Sequence, residues 1–288
     1  MASITSKVMD AVTRSRYCPC MAHINPINPT VGEYLRGWRQ RRRLSQLDLA
    51  CEAEISARHL SFIETGRSRP SRDMLLRLLE QLDVPLRQRN VLLLTAGYAP
   101  HFAQHALTDS AMHDARTAIS SLLKAHEPFP ALAIDRHWTL VLANGAVTPL
   151  LAGVAAHLLE PPVNVLRLSL HPEGLAPRIL NLNEWRTHLL QRLRLQYDQT
   201  ADPVLLMLLD ELLSYRLPQL NAGQPQAQSP IAVPLRLQTA EGALSLLSAT
   251  MVFGTPLDVT LSELAMETFL PADAAAVAIL NRLMSKSS

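Results

Sequence analysis

Residues 46–66, QLDLACEAEISARHLSFIETG, decide the fold of the first third of this 288-residue chain. Their apolar and small residues recur three or four positions apart, as on one face of a helix. Ser45 and Ser56 each precede one half of the stretch, and a serine hydroxyl there accepts a hydrogen bond from the unpaired amides of a first helical turn. The pattern predicts two short helices joined by a tight turn, a helix-turn-helix. Its apolar positions are Leu49, Ala50, Ala53, Ile55, Leu60 and Ile63.

The second predicted helix carries a face that the apolar stripe does not use. This face lies opposite Leu60 and Ile63, where a DNA-reading helix carries the side chains that reach base edges. A helical hairpin that packs against another part of the protein would have the same apolar pattern, so that alternative stays open. The residues on the free face are Ala57, Arg58, Ser61, Phe62 and Thr65.

Three further helices are predicted around this pair. Residues 30–43, capped by Thr30, form the first, and residues 71–82, capped by Ser71, and 85–96 form the last two. Together the five helices predict an all-α domain. The first helix ends in a basic run beside the helix-turn-helix, which we expect to contact the DNA backbone: Arg39, Arg41, Arg42 and Arg43.

The sequence on both sides of the pair resembles a known family. VGEYLRGWRQRRRLSQ upstream and ETGRSRPSRDMLLRLLEQLDVP downstream are similar to the corresponding helices of the lambda-repressor-like (Xre) bacterial regulators. The resemblance implies a partner, double-stranded DNA. One position departs from the family, because the turn residue that is usually glycine is Glu54 here. A left-handed backbone at a non-glycine residue costs about 1 kcal/mol, so we expect the turn to form with some strain.

The resemblance and the free face together define candidate DNA contacts. Gln46 corresponds to the family glutamine that holds a phosphate and a recognition residue. Arg58 is the expected base reader, since a guanidinium can bond both acceptors of a guanine edge, with about 1–3 kcal/mol of discrimination. Phe62 is expected either to pack on a thymine methyl or to seal the domain. The set is Gln46, Ser56, Ala57, Arg58, His59, Ser61, Phe62 and Thr65, with Arg67, Arg69 and Ser71 facing phosphates. High affinity from so short a face implies a homodimer on two half-sites.

The distribution of charge agrees with a DNA partner for the first third alone. Residues 1–100 hold fifteen Lys/Arg and nine Asp/Glu, whereas the rest of the chain holds twelve and sixteen. The basic part suits a phosphate backbone. All three cysteines precede residue 52, which fits a reducing cytoplasm. The uncharged run 242–257 is shorter than the roughly 20 apolar residues of a membrane span, and no secretory signal is visible. We therefore expect a cytoplasmic protein without a membrane partner.

The expected domain organisation has four parts. A flexible tail covers residues 1–29, the helix-turn-helix domain 30–99, a linker 100–112 and a second domain 113–288. Met21 is a second candidate start. Two groups of isolated ligands, Cys18/Cys20/His23 and His101/His105/His113, lack the further ligand that a metal site needs. No metal site and no other cofactor are expected.

The second domain combines strand and helix patterns. Residues 131–134 and 138–143 alternate as in a β-hairpin, and Asn144 is expected to cap the helix that follows. Helical patterns dominate 164–216, three strand-like runs follow the loop NAGQPQAQSP, and residues 272–284 form a last helix. This order predicts an α+β domain.

That order resembles a PAS-like sensor, and three segments carry a closer resemblance. HPEGLAPRILN, Trp185-x-x-His188 and SELAMETFLPAD are similar to the ligand-binding domain of the MmyB-like transcription regulators. In that family an Xre-type DNA-binding domain precedes a PAS-like domain thought to bind a fatty-acid-like molecule. The resemblance therefore implies a DNA-binding transcription regulator that senses a small apolar ligand.

Polar residues at spacings of three and four mark a candidate ligand site. If one helix spans residues 178–192, they share a face beside Leu182, Leu189 and Leu193. A carboxylate head group would then bind an arginine or histidine while an acyl chain lies among leucines. The alternative is that these residues are solvated or bond a neighbouring loop. The candidate ligand contacts are Arg178, Trp185, His188 and Arg192.

The residue inventory argues against an enzyme. No lysine lies between positions 125 and 285, so a self-cleaving Ser–Lys dyad is excluded there. The histidines of the second domain are isolated in sequence, and no G-x-S-x-G, P-loop or G-x-G-x-x-G motif occurs. No catalytic residue is assigned. The remaining alternative is a DNA-binding regulator whose second domain serves only dimerisation or protein partners, for which leucine-rich helices would serve equally well.

Overall fold

The computed structural model of the protein describes residues 29–216 and 232–286. These residues form two compact units. Residues 29–105 with 255–262 form the first, and the described parts of 106–254 with 263–286 form the second. Several expectations lie outside the described residues: the tail up to residue 28, the Cys18/Cys20/His23 group, the candidate start Met21 and the loop 221–230.

Five α-helices build the first unit, and polar caps fix where four of them begin. Thr30, Ser45, Ser56 and Ser71 each accept a hydrogen bond from a first-turn amide, which satisfies a donor that a helix start otherwise leaves unpaired. The predicted caps and the all-α five-helix class are confirmed. The helices are α1 (Val31–Arg41), α2 (Gln46–Glu52), α3 (Ala57–Glu64), α4 (Arg72–Gln81) and α5 (Leu86–Thr95).

Leucines from all five helices fill the core of this unit. Each full burial of such a side chain contributes roughly 1.5–3 kcal/mol. Helices α1 and α3 approach so closely that a Cβ on Gly32 would lie 2.5 Å from the backbone oxygen of Ile63. Only glycine fits there, so Gly32 sets the separation of α1 from α3. Among the leucines that are 0% exposed are Leu35, Leu49, Leu60, Leu75, Leu79 and Leu92.

The turn between α2 and α3 has a left-handed residue. Glu54 has φ +55°, and the amide of Ile55 donates to the Ala50 oxygen at 2.9 Å. The expected left-handed turn at a non-glycine residue is confirmed. The strain it carries is therefore built into the helix-turn-helix.

A segment from far along the chain completes the first unit. The one-turn helix Val259–Ser262 belongs to it, and Val259 is fully buried there. The Val259 amide donates to the Ala103 oxygen at 2.8 Å, and His105 Nδ1 lies 2.8 Å from Asp258 Oδ2. The first unit is thus assembled from two widely separated parts of the sequence.

The second unit is built on a five-stranded antiparallel sheet with the order β2-β1-β5-β4-β3. In register, Ala131 faces Thr268 across β1 and β5, and Leu246 faces Pro271 across β4 and β5. The curled sheet with its helices is consistent with a PAS-like fold, so the predicted α+β class is confirmed. The strands are β1 (Ala131–Ile134), β2 (Leu140–Ala143), β3 (Leu235–Thr239), β4 (Gly242–Val252) and β5 (Ala265–Pro271).

Five α-helices and several 3-10 segments accompany the sheet. They are α6 (His113–Ala125), α7 (Val165–Leu170), α8 (Leu182–Thr200), α9 (Pro203–Ser214) and α10 (Ala274–Ser285). Helix α6 packs on β1, α8 packs against α9, and α10 packs on β4 and β5.

The structure corrects two predictions in the hairpin region. Strand β2 begins at Leu140 because Trp138 has φ +64°, which extended backbone does not allow. Asn144 does not cap a helix with its side chain: it accepts from the Ala131 amide at 3.1 Å and donates to the Leu123 oxygen at 3.0 Å. The segment that follows is the expected helix through Leu151, and it is of the 3-10 type, Gly145–Leu151.

The condition that one helix spans residues 178–192 is not met. Arg178 ends the 3-10 helix Ala176–Arg178, and α8 begins only at Leu182. Between them the chain pairs with β3, because the Leu180 amide donates to the Arg236 oxygen at 2.7 Å. Arg178 therefore does not lie on the helix that carries His188.

Replacing Glu54 with glycine should stabilise the first unit by about 1 kcal/mol, since glycine adopts a positive φ without steric cost. The lost pair with Arg77, 3.9 Å long and exposed, contributes little. Hydrogen exchange of amides in α2 and α3 of the full chain measures the change. The matched control is Glu52→Gly at the end of α2, which should destabilise by about 0.5–1 kcal/mol. A loss of stability in Glu54→Gly would contradict the strained-turn interpretation.

Candidate nucleic-acid interface and ligand cavity

Helix α3 presents one face to the core and the other to solvent. Leu60 and Ile63 are buried, whereas Arg58 is exposed. Thr65, directly after the helix, is exposed too. The other predicted contacts on this helix are half-buried: Ala57, His59, Ser61 and Phe62. An exposed arginine beside half-buried neighbours gives α3 a contact surface with one long, charged projection.

Phe62 is the platform on which two predicted DNA contacts rest. The guanidinium carbon of Arg58 lies 5.4 Å from the Phe62 ring centroid, and that of Arg67 lies 6.0 Å from it. The Phe62 carbonyl accepts hydrogen bonds from the amides of Arg67 and Ser68. Cations at these distances are attracted to an aromatic face. The ring therefore lies against the guanidinium groups of both arginines.

A buried carboxylate ties α3 to the two preceding helices. The side chain of Glu64 is 0% exposed. Arg39 donates two hydrogen bonds to its carboxylate, from Nε at 2.6 Å and from Nη2 at 2.9 Å. Gln46 donates to the same carboxylate at 2.8 Å, and Arg36 lies 3.5 Å away. These contacts connect α1, the start of α2 and the end of α3.

The carboxylate stays ionised because of its partners. Burial alone raises the pKa of Glu64, but the hydrogen bonds from Arg39 and Gln46 outweigh burial and hold the pKa below its ordinary value of 4.5. The bond to Glu64 raises the pKa of Arg39 in turn. Arg39 therefore serves the fold and not the DNA backbone, contrary to the expectation for the basic run. A sequence signal was present, because Glu64 follows Ile63 on the apolar stripe of α3.

Three further predicted contacts already have partners inside the unit. Ser56 and Ser71 accept from the amides of His59 and Met74 as caps. Thr65 Oγ1 donates to the Ser61 oxygen at 2.7 Å.

Arg69 is held in a similar way. It donates to the Ala96 oxygen at the end of α5, and its guanidinium carbon lies 5.5 Å from the Tyr98 ring centroid. Among the described residues, an aromatic ring is the only side-chain contact of Arg58 and of Arg67. Arg69 differs from them because it also donates a hydrogen bond.

The second unit contains an apolar cavity of about 100 Å³. Its walls come from all five strands of the sheet, from α7 and α8, and from the 3-10 helix Gly145–Leu151. Typical wall residues are Leu132, Leu140, Leu166, Leu189, Leu237 and Phe269. A concave apolar space with few polar groups is the usual design of a small-molecule site.

One ion pair supplies the charge in this cavity. Arg192 Nη2 lies 2.5 Å from Glu267 Oε1 and Nη1 lies 3.3 Å from Oε2. Thr250 Oγ1 donates to Glu267 at 2.8 Å, and the Arg192 guanidinium carbon lies 4.9 Å from the Trp138 ring centroid. The other polar side chains on the wall, apart from the two tryptophans, are Ser169 and Ser248.

The structure brings two of the four predicted ligand contacts to the cavity. Trp185 and Arg192 line it, while Arg178 and His188 do not. Arg178 donates to the Leu150 oxygen at 2.5 Å, and burial lowers its pKa. His188 lies against Trp185 with ring centroids 5.5 Å apart. Burial, and then the charge of Arg192, lower the pKa of His188, so its ring is neutral at pH 7.

Sequence reasoning missed Glu267, Ser169 and Ser248 as cavity residues. Glu267 had a detectable signal, because a glutamate between apolar residues of a strand implies a buried partner. The two serines had none, since serine is common on exposed surfaces. Their position follows only from the tertiary fold.

Histidines that are isolated in sequence meet in the second unit. His157, His171 and Glu173 place their potential metal-ligating atoms within 4.8 Å of one another. Both His157 and Glu173 are exposed, and His171 Nδ1 accepts from the Glu173 amide at 3.1 Å. This trio is the one group of such residues, among those described, that could hold a metal ion.

Comparisons with known proteins place both units. The profile of the MmyB-like transcription regulator ligand binding domain matches residues 115–283, and a helix-turn-helix domain profile matches residues 30–92. No curated protein matches. A solved structure described as an RNA-binding Light-Oxygen-Voltage receptor is 14% identical, and the match covers 99% of this chain and 67% of that one. Its TM-score of 0.26 is too low to indicate a shared fold. No helix within 29–216 or 232–286 has the length and apolarity to cross a membrane.

Glu64→Gln should destabilise the first unit by about 3–5 kcal/mol, because it leaves the buried charge of Arg39 without its partner. Glutamine keeps the shape of the side chain, so the loss reports charge. The pKa of Glu64 is lower in the folded state, so its contribution is complete above the ordinary pKa of 4.5 and disappears as pH falls through the lowered value. Hydrogen exchange of α1 and α3 amides against pH measures both effects.

The control is Glu80→Gln on the exposed surface of α4, which should change stability by less than about 0.5 kcal/mol. Equal effects of the two substitutions would contradict the structural role of Glu64.

Proposed function

The chain belongs to the MmyB-like transcription regulators, and from this premise we propose that its ligand is a small fatty-acid-like molecule that changes how a homodimer binds double-stranded DNA. The helix-turn-helix and the MmyB-like domain together are the architecture of a DNA-binding transcription regulator with a ligand-binding domain. We assign it no catalytic residues, and we place it in the cytoplasm with its DNA.

The apolar cavity is the observation that carries the ligand proposal. Its walls are leucines and aromatic rings, which favour a hydrocarbon chain through burial of apolar surface. The Arg192–Glu267 pair is its only charged feature among the described wall residues. A chain-bearing amphiphile fits this distribution, with its polar end at one of the few polar groups of the wall and its chain among the leucines.

The exposed side of α3 is the proposed DNA-reading surface. Arg58 is solvent-exposed and rests on Phe62, which favours an extended guanidinium with little freedom to lose on binding. We assign Arg58 to a guanine edge and Arg67 to a phosphate. The neighbouring assignments are Gln46, Ser56, Ala57, His59, Ser61, Phe62 and Thr65 near bases or phosphates, with Arg69 and Ser71 on the backbone.

Regulation is proposed as a population shift in a dimer. One short helix per protomer supplies few contacts, so two protomers on half-sites about one helical turn apart would provide the affinity. A ligand that binds one arrangement of the dimer more tightly favours that arrangement. The spacing of the two α3 helices then decides whether both half-sites are filled.

An alternative function has its own support. Four large apolar side chains of α9 are exposed, with Val204 at 38%, Leu206 at 39%, Met207 at 62% and Leu213 at 52%. Such a surface suits another protein chain. The second unit would then serve dimerisation or protein partners without a ligand.

Arg58→Ala should weaken binding to the protein's own operator, selected from random DNA, by about 1–3 kcal/mol and relax preference at one base pair. Binding to unrelated DNA should hardly change, since a base contact contributes little there. Fluorescence anisotropy on both DNAs at several salt concentrations measures this.

The matched variant is Arg67→Ala, which rests on the same ring. It should weaken binding to both DNAs alike and reduce the slope of log binding constant against log salt concentration by about 1. Equal losses on operator and unrelated DNA for Arg58→Ala would refute its base-reading role.

Native mass spectrometry of the purified protein, followed by organic extraction, tests the ligand proposal. We expect a dimer that carries a chain-bearing amphiphile. The variant Leu189→Arg, which places a charge in the cavity wall, should be empty. An empty dimer for both proteins would favour the dimerisation alternative, and identical occupancy would place the ligand outside the cavity.

A further inference from the structure

The cation in the cavity is already saturated. Arg192 makes two bonds to the Glu267 carboxylate, and its Nη2 also lies 3.0 Å from Thr250 Oγ1. Trp138 covers its guanidinium face. The positive charge of Arg192 is therefore directed at groups of the protein itself.

Glu267 depends on that arrangement. Its side chain is 5% exposed, against 25% for Arg192. A carboxylate buried to this extent is strongly destabilised without its partner. A ligand carboxylate at Arg192 would either displace Glu267 or bring a second negative charge beside it. Both outcomes oppose binding.

No second cation is available at the cavity. Among the described wall residues Arg192 is the only arginine, lysine or histidine. Arg178 lies outside the wall and donates to Leu150, and His188 is neutral and lies outside it too. An anionic head group would thus be buried without compensation, which is unfavourable.

The cavity does offer neutral hydrogen-bond donors. Ser169 Oγ accepts from the Trp185 indole N–H at 2.9 Å, so its own O–H is left to donate. Ser248 also lines the wall. A hydroxyl pairs well with a carbonyl, ester or alcohol oxygen, and such an oxygen needs no counter-charge.

We propose that the ligand enters with an uncharged, oxygen-bearing end, as an alcohol, ester or amide rather than a free fatty acid, and that the Arg192–Glu267 pair stays intact around it. This inference rests on the proposed ligand-sensing function and names the chemical class of its ligand. Ser169 is the donor assigned to the ligand oxygen. The cavity of about 100 Å³ is smaller than the roughly 300–1,000 Å³ of common ligand sites, so short-chain probes are appropriate.

The test compares octanoate with its neutral relatives octanol and methyl octanoate on the full-length protein. At about pH 8 the acid is fully ionised. We expect both neutral compounds to bind at least about ten-fold more tightly than octanoate, because only the anion is repelled by the Glu267 carboxylate. Isothermal titration calorimetry measures the affinities.

Two variants separate this effect from general hydrophobicity. Glu267→Gln releases Arg192, so the affinity for octanoate should rise about ten-fold or more while the affinity for octanol changes little. The control Glu160→Gln alters an exposed glutamate and should change neither affinity. Ser169→Ala removes the neutral donor without disturbing the ion pair, and should weaken methyl octanoate several-fold but not octanoate.

The outcomes distinguish the inference from the function beneath it. If octanoate binds the unaltered protein as tightly as the neutral compounds, the neutral end is refuted while ligand sensing stands. The same holds if Glu267→Gln is folded and gains no affinity for octanoate, or if Ser169→Ala weakens all three compounds alike. If none of the three compounds binds, the fatty-acid-like ligand class and this inference fail together.

Discussion

A carboxylate removed from water must keep a cation beside it, and each unit of this regulator is arranged around one such pair. In the first unit Arg39 holds Glu64, and in the second Arg192 holds Glu267. Each pair joins elements that are distant in sequence, so its geometry constrains where those elements lie. Loss of either partner would leave a buried charge, a penalty of several kcal/mol against a total stability of about 5–15 kcal/mol. The two pairs therefore determine where the elements that they join must lie.

The two pairs have different consequences for function. The Arg39–Glu64 pair lies behind α3, where it fixes the helix end and leaves the outer face free. The Arg192–Glu267 pair lies on the wall of the cavity, where we propose that it disfavours an anionic ligand. Arg39, which the sequence suggested as a DNA contact, has a structural role. Arg192, which the sequence suggested as a ligand contact, is already paired with Glu267. In both cases the role of the arginine is decided by the glutamate that it meets.

Much of the architecture could be predicted because it is written in local patterns. Serine caps, helical stripes and the alternation of the first hairpin strand each depend on a few neighbouring residues, and they located the five helices and the strand Ala131–Ile134. The failures are non-local. The single helix across residues 178–192 is interrupted because residues 179–180 pair with β3, about 55 positions later. Arg178 misses the cavity for that reason, since periodicity cannot foresee which segment will pair with a strand.

The contribution of residues 255–262 to the first unit has a consequence for synthesis. The chain emerges from the ribosome N-terminus first, so the five helices are complete long before the segment that covers Ala103 and pairs with His105. The first unit therefore includes residues that are made after most of the second unit. The order of translation delays completion of the first unit until the second is nearly made.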